Sequence, residues 1–224
     1  MCSLFALLLC PSLARATTIA GGNIINQTWT PAGSPYIIQG DITVPSGAFL
    51  TVNAGTVVQF ASTDGQAGGV DTARIELTVK GSLTVNGTTA SPAVFQGQSG
   101  TSAGTWYGIV ADATAAMVSI GGADVRHTVN GLTAAAPGNV VSVTNSSFQT
   151  STYGLYISAG TPTFSDVAVS GASTGVYYTN NGSGTLGNTV VRNCTSYGVN
   201  VYTNVAGTPA LNLVNATINA NGSY

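Results

Sequence analysis

The chain has 224 residues, of which only 5 are basic and 7 acidic, for a net charge of −2, while 44% are hydrophobic. So few charges leave no electrostatic footprint for nucleic acid or an anionic membrane surface. The apolar fraction excludes general disorder despite the Gly, Ser and Asn content.

Residues 1–16, MCSLFALLLCPSLARA, join an apolar run from Leu4 to Leu9 to the small-x-small sequence Ala14-Arg15-Ala16. They read as a secretory signal peptide, which implies a secreted, extracellular or cell-surface protein. A lipoprotein signal at Cys10 is disfavoured by the large Leu9 before it. No later stretch has the roughly 18 uninterrupted apolar residues of a membrane span. Without the signal, 4 basic and 7 acidic residues remain, and Cys194 stands alone without a disulfide framework or a metal-binding cysteine cluster.

Residues 17–40 are expected to cap the N-terminal end, with Trp29 as an apolar plug. Short strands follow in ITV, FLTV and TVVQF. The polar, Gly-rich ASTDGQAGGVDTA (61–73) reads as a loop protruding between coils. ELTVKGSLTVNG and AVFQG resume the strands, and regular repeats begin near Trp106.

A glycine recurs before an apolar residue at Gly108, Gly131, Gly154, Gly175 and Gly198, with spacings of 23, 23, 21 and 23 residues. Aligned on it, three columns emerge: Ile109, Leu132, Leu155, Val176 and Val199; Ile120, Val143, Phe164, Leu186 and Leu213; Val125, Phe148, Val169, Val191 and Ile218. All fifteen positions are apolar against 44% overall. Strand side chains alternate faces, so each column marks one inward residue of a short strand. The glycines are assigned to tight corners between strands. No helical stripe exceeds a turn or two. The predicted fold is all-β: a right-handed, single-stranded parallel β-helix with three short strands per coil of about 21–23 residues, a solenoid over residues 41–224 in which each coil covers the apolar face of the next. No C-terminal cap is visible, so the chain is expected to be a fragment whose own C-terminal remainder would cover that end.

Between the second and third columns lies a polar ladder: Gly122, Asn145, Asp166, Asn188 and Asn215. These residue types tolerate the left-handed backbone of a tight corner. This Asn-at-the-corner pattern resembles the right-handed parallel β-helix repeat proteins of the pectate-lyase-like superfamily. The stretch TWTPAGSPYIIQGDITVPSGAFLTVNAGTVVQF is similar to the first coils of bacterial secreted members. The resemblance covers roughly residues 22–224 and implies the fold, which hosts lyases, hydrolases, adhesins and inert stalks alike.

Chemistry is sparse. GSGTLG (182–187) matches G-x-G-x-x-G but lies across a turn and a strand, where a dinucleotide site needs a strand before it and a helix after it. Polysaccharide lyases and hydrolases of this fold need clustered carboxylates. One coil onward from Asp112, Asp124 and Asp166 stand Ala135, Ser147 and Thr189, so no carboxylate ladder is expected. Asp41 and Asp64 are 23 apart, but Asp64 falls in the loop and the match reads as accidental. No cofactor is expected; Asp64 and Asp71 are the candidate pair for Ca2+. The polar constellation ADVRH offers Asp124, Arg126 and His127 as catalytic candidates, with Arg192 on the same face three coils away, about 14 Å. Its bland alternative is an exposed ion pair beside a corner histidine, worth under about 1 kcal/mol. Cys194 sits in a turn without a partnering base. Sequons at Asn26, Asn86, Asn145, Asn181, Asn193, Asn215 and Asn221 matter only in a glycosylating host.

The stronger candidate is aromatic. Tyr156, Tyr177 and Asn200, then Ser158, Thr179 and Tyr202, fall at outward positions, and Tyr107, Tyr153, Tyr197 and Tyr224 precede the glycines. Such a stripe suits a polysaccharide or cell-surface glycan, although Tyr also packs well on any pleated surface. The expected role is a structural, adhesive or glycan-binding module. The alternative is a polysaccharide lyase or glycoside hydrolase whose site lies mostly on further C-terminal coils. Ice binding, suggested by low charge and abundant Thr, would need a regular outward Thr array, and the outward columns read as mixed.

Overall fold

The computed structural model describes residues 16–179, 181–202 and 210–222. The signal-peptide assignment, Cys2, Cys10 and Tyr224 therefore lie outside the described residues, apart from Ala16. Within them, the chain forms 25 strands and one short 3-10 turn, Pro31–Gly33. No helix among them is long and apolar enough to cross a membrane.

The strands sort strictly by threes. Every third strand joins the same sheet, which gives one nine-stranded and two eight-stranded sheets whose strand pairings among the described residues are all parallel. Sheet 1 runs from Thr17–Ile19 to Thr217–Asn219, sheet 2 from Gly22–Asn23 to Tyr197–Tyr202, and sheet 3 from Gln27–Trp29 to Leu211–Val214. The chain thus winds as a parallel β-helix. The windings cover residues 17–29, 36–53, 57–86, 93–121, 123–144, 147–165, 168–187 and 190–214, and a ninth opens at 217.

The three apolar columns stack as their periodicity requires. Ile109, Leu132, Leu155, Val176 and Val199 are register partners in sheet 2. Ile120 to Leu213 pair in sheet 3, and Val125 to Ile218 in sheet 1. Leu155, Phe164 and Val169, one from each sheet of a single turn, are all buried. At roughly 25 cal/mol per Å² of apolar surface, this dry interior is the main source of stability.

Within residues 17–40, expected to cap the N-terminal end, Thr17–Ile19, Gly22–Asn23 and Gln27–Trp29 form a first winding. Their three strands pair in register with the next turn, because Ile19, Ile24 and Trp29 repeat the inward pattern. Trp29 is buried at 2% exposure and stacks on Tyr36 at 4.7 Å. Further in, Phe60 and Trp106 stack at 3.7 Å.

The recurrent glycines do not make corners. Gly131, Gly154, Gly175 and Gly198 lie inside strands of sheet 2, and a Cβ on Gly154 would stand 2.6 Å from the Gly175 carbonyl oxygen and strike Val169. Only a residue without a side chain lets adjacent windings approach there. Gly108 falls one residue out of this row, because the register shifts between Gly108 and Ile109.

The corners carry two left-handed ladders. Gly122, Asn145, Asp166, Asn188 and Asn215 have φ of 58, 49, 58, 47 and 53°, between sheets 3 and 1. Between sheets 1 and 2, His127, Thr150, Gly171, Asn193 and Ala220 have φ of 68, 50, 64, 56 and 51°.

Candidate functional site

The outer face of sheet 2 gathers most of the candidate residues. One outward column runs Thr43, Thr78, Val110, Thr133, Tyr156, Tyr177, Asn200 along successive windings. A second runs through Asn130, Tyr153, Thr174 and Tyr197. Tyr153, Tyr156 and Tyr177 form one cluster, with Tyr153 edge-on to Tyr156 at 5.5 Å and Tyr177 5.3 Å from each. Asn130 extends it by donating to the Tyr107 hydroxyl at 3.4 Å and to Thr133 at 3.0 Å. Burial, then the neighbouring Tyr177 and Tyr153, push the Tyr156 phenol above its usual range. Burial, then Glu76 and Tyr156, do the same for Tyr107. Both stay protonated donors at neutral pH. Tyr197 and Tyr202 are more exposed. Thr179 does not join the surface: it is 5% exposed, at the strand end where Gly182 N–H closes a turn onto its carbonyl.

At its N-terminal end the same face turns acidic, and here the structure corrects the expectation that no carboxylates stack. Asp41 and Glu76 precede the paired residues Ile42 and Leu77, so they share one register position on adjacent windings. The Glu76 N–H donates to Asp41 Oδ1 at 2.8 Å. The loop that follows Phe60 folds back rather than protruding. Asp64 Oδ1 accepts from the Asp41 N–H at 3.1 Å and from the Gln66 N–H at 2.9 Å, and Asp64 Oδ2 accepts from Gly68 N–H at 2.9 Å. The spacing of 23 between Asp41 and Asp64 therefore marks a real contact. Glu76 accepts from the Val70 N–H and the Thr78 hydroxyl, both at 2.9 Å.

Burial lifts the Asp41 carboxyl to about 6, against the Glu76 N–H bond that lowers it and with Asp64 and Glu76 raising it further. Burial alone would raise Asp64, but the Gln66, Gly68 and Asp41 N–H groups leave it below its usual range. Beside the cluster lies an open cavity of about 420 Å³, walled by the loop and by outward residues that include Thr43, Thr78, Lys80 and Asp112.

The remaining candidates disperse. Asp124 accepts from Arg126, Ser147 and Gln149 within its own patch of sheet 1. Arg192 shares the register column of Arg126 three windings away, which keeps the two guanidinium groups apart. His127 is a corner residue at 9% exposure, and burial, then Arg126, hold its imidazole below the usual value. Asp71 pairs with Arg74 at 2.8 Å and bonds the Ala73 N–H, so Asp64 and Asp71 face different partners. Cys194 is buried, which raises its thiol. GSGTLG forms a sheet-3 strand at Gly184–Gly187, with Leu186 in the core.

One column reads as mixed in sequence but is uniform in space. Thr28, Thr51, Thr84, Ser119, Ser142, Thr163 and Thr185 are register partners on seven successive windings, at the outward centre of sheet 3. The array is missed by eye because its spacing varies from 21 to 35 residues.

Residues 22–135, just over half of the chain, match the family model of a pectate-lyase-like beta helix domain. No curated protein and no solved structure matches the chain.

Proposed function

This chain belongs to the pectate-lyase-like β-helix family, and we propose that it serves as a secreted or cell-surface module that holds a neutral glycan on the outer face of sheet 2 without cleaving it. The tyrosine cluster carries this reading: three rings with centroids 5.3–5.5 Å apart line one face. A sugar ring offers an apolar C–H face and a rim of hydroxyls, which a phenol matches with its ring and its O–H. From the fifth winding onward this face carries no charged side chain among the described residues. Asp166 and Arg192, the only charged residues after His127, lie on a corner and on sheet 1. A neutral ligand fits such a surface, and its binding would be insensitive to salt. An enzyme would need free carboxylates. Glu76 and Asp64 direct theirs at backbone N–H groups of the loop, and Asp41, with one oxygen unpartnered, is buried beneath it, which supports binding over cleavage.

The test is retention on neutral polysaccharide columns by the wild type and by the Tyr156→Ala/Tyr177→Ala double variant, with circular dichroism checking the fold. Each lost ring should cost about 1 kcal/mol or more, roughly fivefold to tenfold in affinity. Equal retention of both proteins would sink the reading. New reducing or unsaturated ends in the eluate would move it to a hydrolase or lyase.

A second reading, ice binding, rests on the hydroxyl column of sheet 3. Seven Thr and Ser side chains repeat once per winding, about 4.8 Å apart, along sheet 3. Thr84→Lys would break the array without touching the core. Unchanged ice-crystal shape in the presence of the wild type would dispose of this reading.

A further inference from the structure

The loop 61–75 is tied down at Gln39, Asp41 and Glu76, with no cation at these three anchors. Gly65 N–H donates to the Gln39 carbonyl at 2.9 Å, the Asp41 N–H to Asp64 at 3.1 Å and Val70 N–H to Glu76 at 2.9 Å. Between these anchors sits Asp41, 8% exposed, with Oδ1 on the Glu76 N–H and Oδ2 buried without any partner. That orphaned oxygen abuts the loop backbone: a Cβ on Gly69 would stand 2.9 Å from it, and one on Gly68 3.1 Å. The charged groups around it are Asp64 from the loop and Glu76 from the adjacent strand. Arg74, at the loop's end, is engaged by Asp71 and the Gly104 carbonyl. Lys80 lines the same cavity, where it helps the Thr114 bonds hold Asp112 below its usual range, and Tyr107 near Glu76 stays neutral.

We propose that loop 61–75 is a pH-operated latch: it seats on the first windings while Asp41 carries a proton and loosens when Asp41 ionises. A protonated Asp41 is neutral beside two carboxylates and can share its proton with Asp64. An ionised Asp41 places a third negative charge in a buried spot with no compensating cation. Loosening withdraws Gln66, Gly68, Gly69 and Val70 from the wall of the 420 Å³ cavity and widens the groove at the N-terminal end of sheet 2.

The sign follows from linkage. The seated state holds the Asp41 proton more tightly, at about 6 against an ordinary 3.8. Seating is therefore favoured at low pH and weakens as pH rises from about 4 through 6. Asp64 acts oppositely, but only as pH falls below its ordinary 3.8 through its lowered value.

Amide hydrogen exchange on the intact protein tests this without any glycan, so its failure is distinct from failure of the glycan reading. After correction for intrinsic exchange, protection of the Gln66, Gly68 and Val70 amides should fall about tenfold or more between pH 4.5 and pH 7.5. In Asp41→Asn, whose amide keeps the Glu76 acceptor, protection should be high and independent of pH. A carbon-13 titration of the Asp41 carboxyl in wild-type protein gives a readout that does not depend on any variant folding, with an expected midpoint near 6. Equal corrected protection at the two pH values in the wild type would overturn the latch, as would an Asp41 midpoint near 4.

Discussion

Asp41 and Glu76 lie side by side on adjacent windings, joined by a 2.8 Å bond from the Glu76 N–H to the Asp41 carboxylate, although 35 residues separate them in the chain. The bond makes a stability prediction apart from the latch. Asp41→Ala leaves the buried Glu76 N–H without an acceptor and should cost about 1–3 kcal/mol, whereas Asp41→Asn keeps an acceptor and should cost less. Urea unfolding at pH 5 measures both; equal losses would mean that the bond contributes nothing. Wild type should also lose stability from pH 4.5 to 7.5 relative to Asp41→Asn, because the variant lacks the Asp41 proton while His127 titrates alike in both proteins.

The corner ladder separates backbone from side chain. Asn188 holds φ of 47°, donates to Asp166 at 3.3 Å and accepts from Asn215 at 3.3 Å. Asn188→Ala forces a left-handed alanine and removes both amide bonds, for about 1–2 kcal/mol. Asn188→Gly keeps the backbone and loses only the amide contacts, so its melting temperature should fall between wild type and Ala. If Gly is as damaging as Ala, the ladder stabilises through its amides and not through φ.

Gly154 tests the close approach of windings. Its added Cβ would strike Val169 and stand 2.6 Å from the Gly175 carbonyl oxygen. Gly154→Ala should destabilise by about 3 kcal/mol, at the upper end of overpacking costs. Gly47→Ala is the control: at φ of 80° it carries backbone strain of about 1–2 kcal/mol, but nothing lies within 4 Å of its Cβ. Thermal denaturation of the two variants should rank Gly154→Ala as clearly the worse.

These positions also show what the sequence could disclose. Columns running through Leu155, Phe164 and Val169 were legible because an interior that excludes water admits only apolar side chains, and the period of 21–23 residues puts them on one line. The role of Gly154 was not: a glycine that avoids a clash between windings looks the same in sequence as one that makes a turn. The Asp41–Glu76 pair was hidden by an insertion. Removing the thirteen residues 61–73 from their separation of 35 leaves 22, one ordinary winding. The tyrosine stripe was readable from alternation alone, except at Thr179, where strand gives way to turn and alternation stops deciding exposure. The second corner ladder escaped because His127, Thr150, Gly171, Asn193 and Ala220 share a backbone conformation and no chemistry.

His127 is where a corner and a catalytic role make opposite forecasts. Its φ of 68° suits His, Asn or Gly far better than a β-branched residue, and its Nδ1 is buried without a partner. If it serves the corner, His127→Asn should fold as wild type does, while His127→Val should lose about 1–3 kcal/mol. Burial and Arg126 hold the imidazole below its ordinary 6.5, so the fold favours the neutral ring. Wild-type stability should therefore fall as pH drops below about 6.5 towards the lowered value, and His127→Asn should lack that decline. Chemical denaturation of both proteins from pH 7.5 to 5 isolates this term once the opposite trend from Asp41 is removed by making each measurement in the Asp41→Asn background. A wild-type curve that parallels His127→Asn in that background would show that the ring's protonation does not bear on the fold.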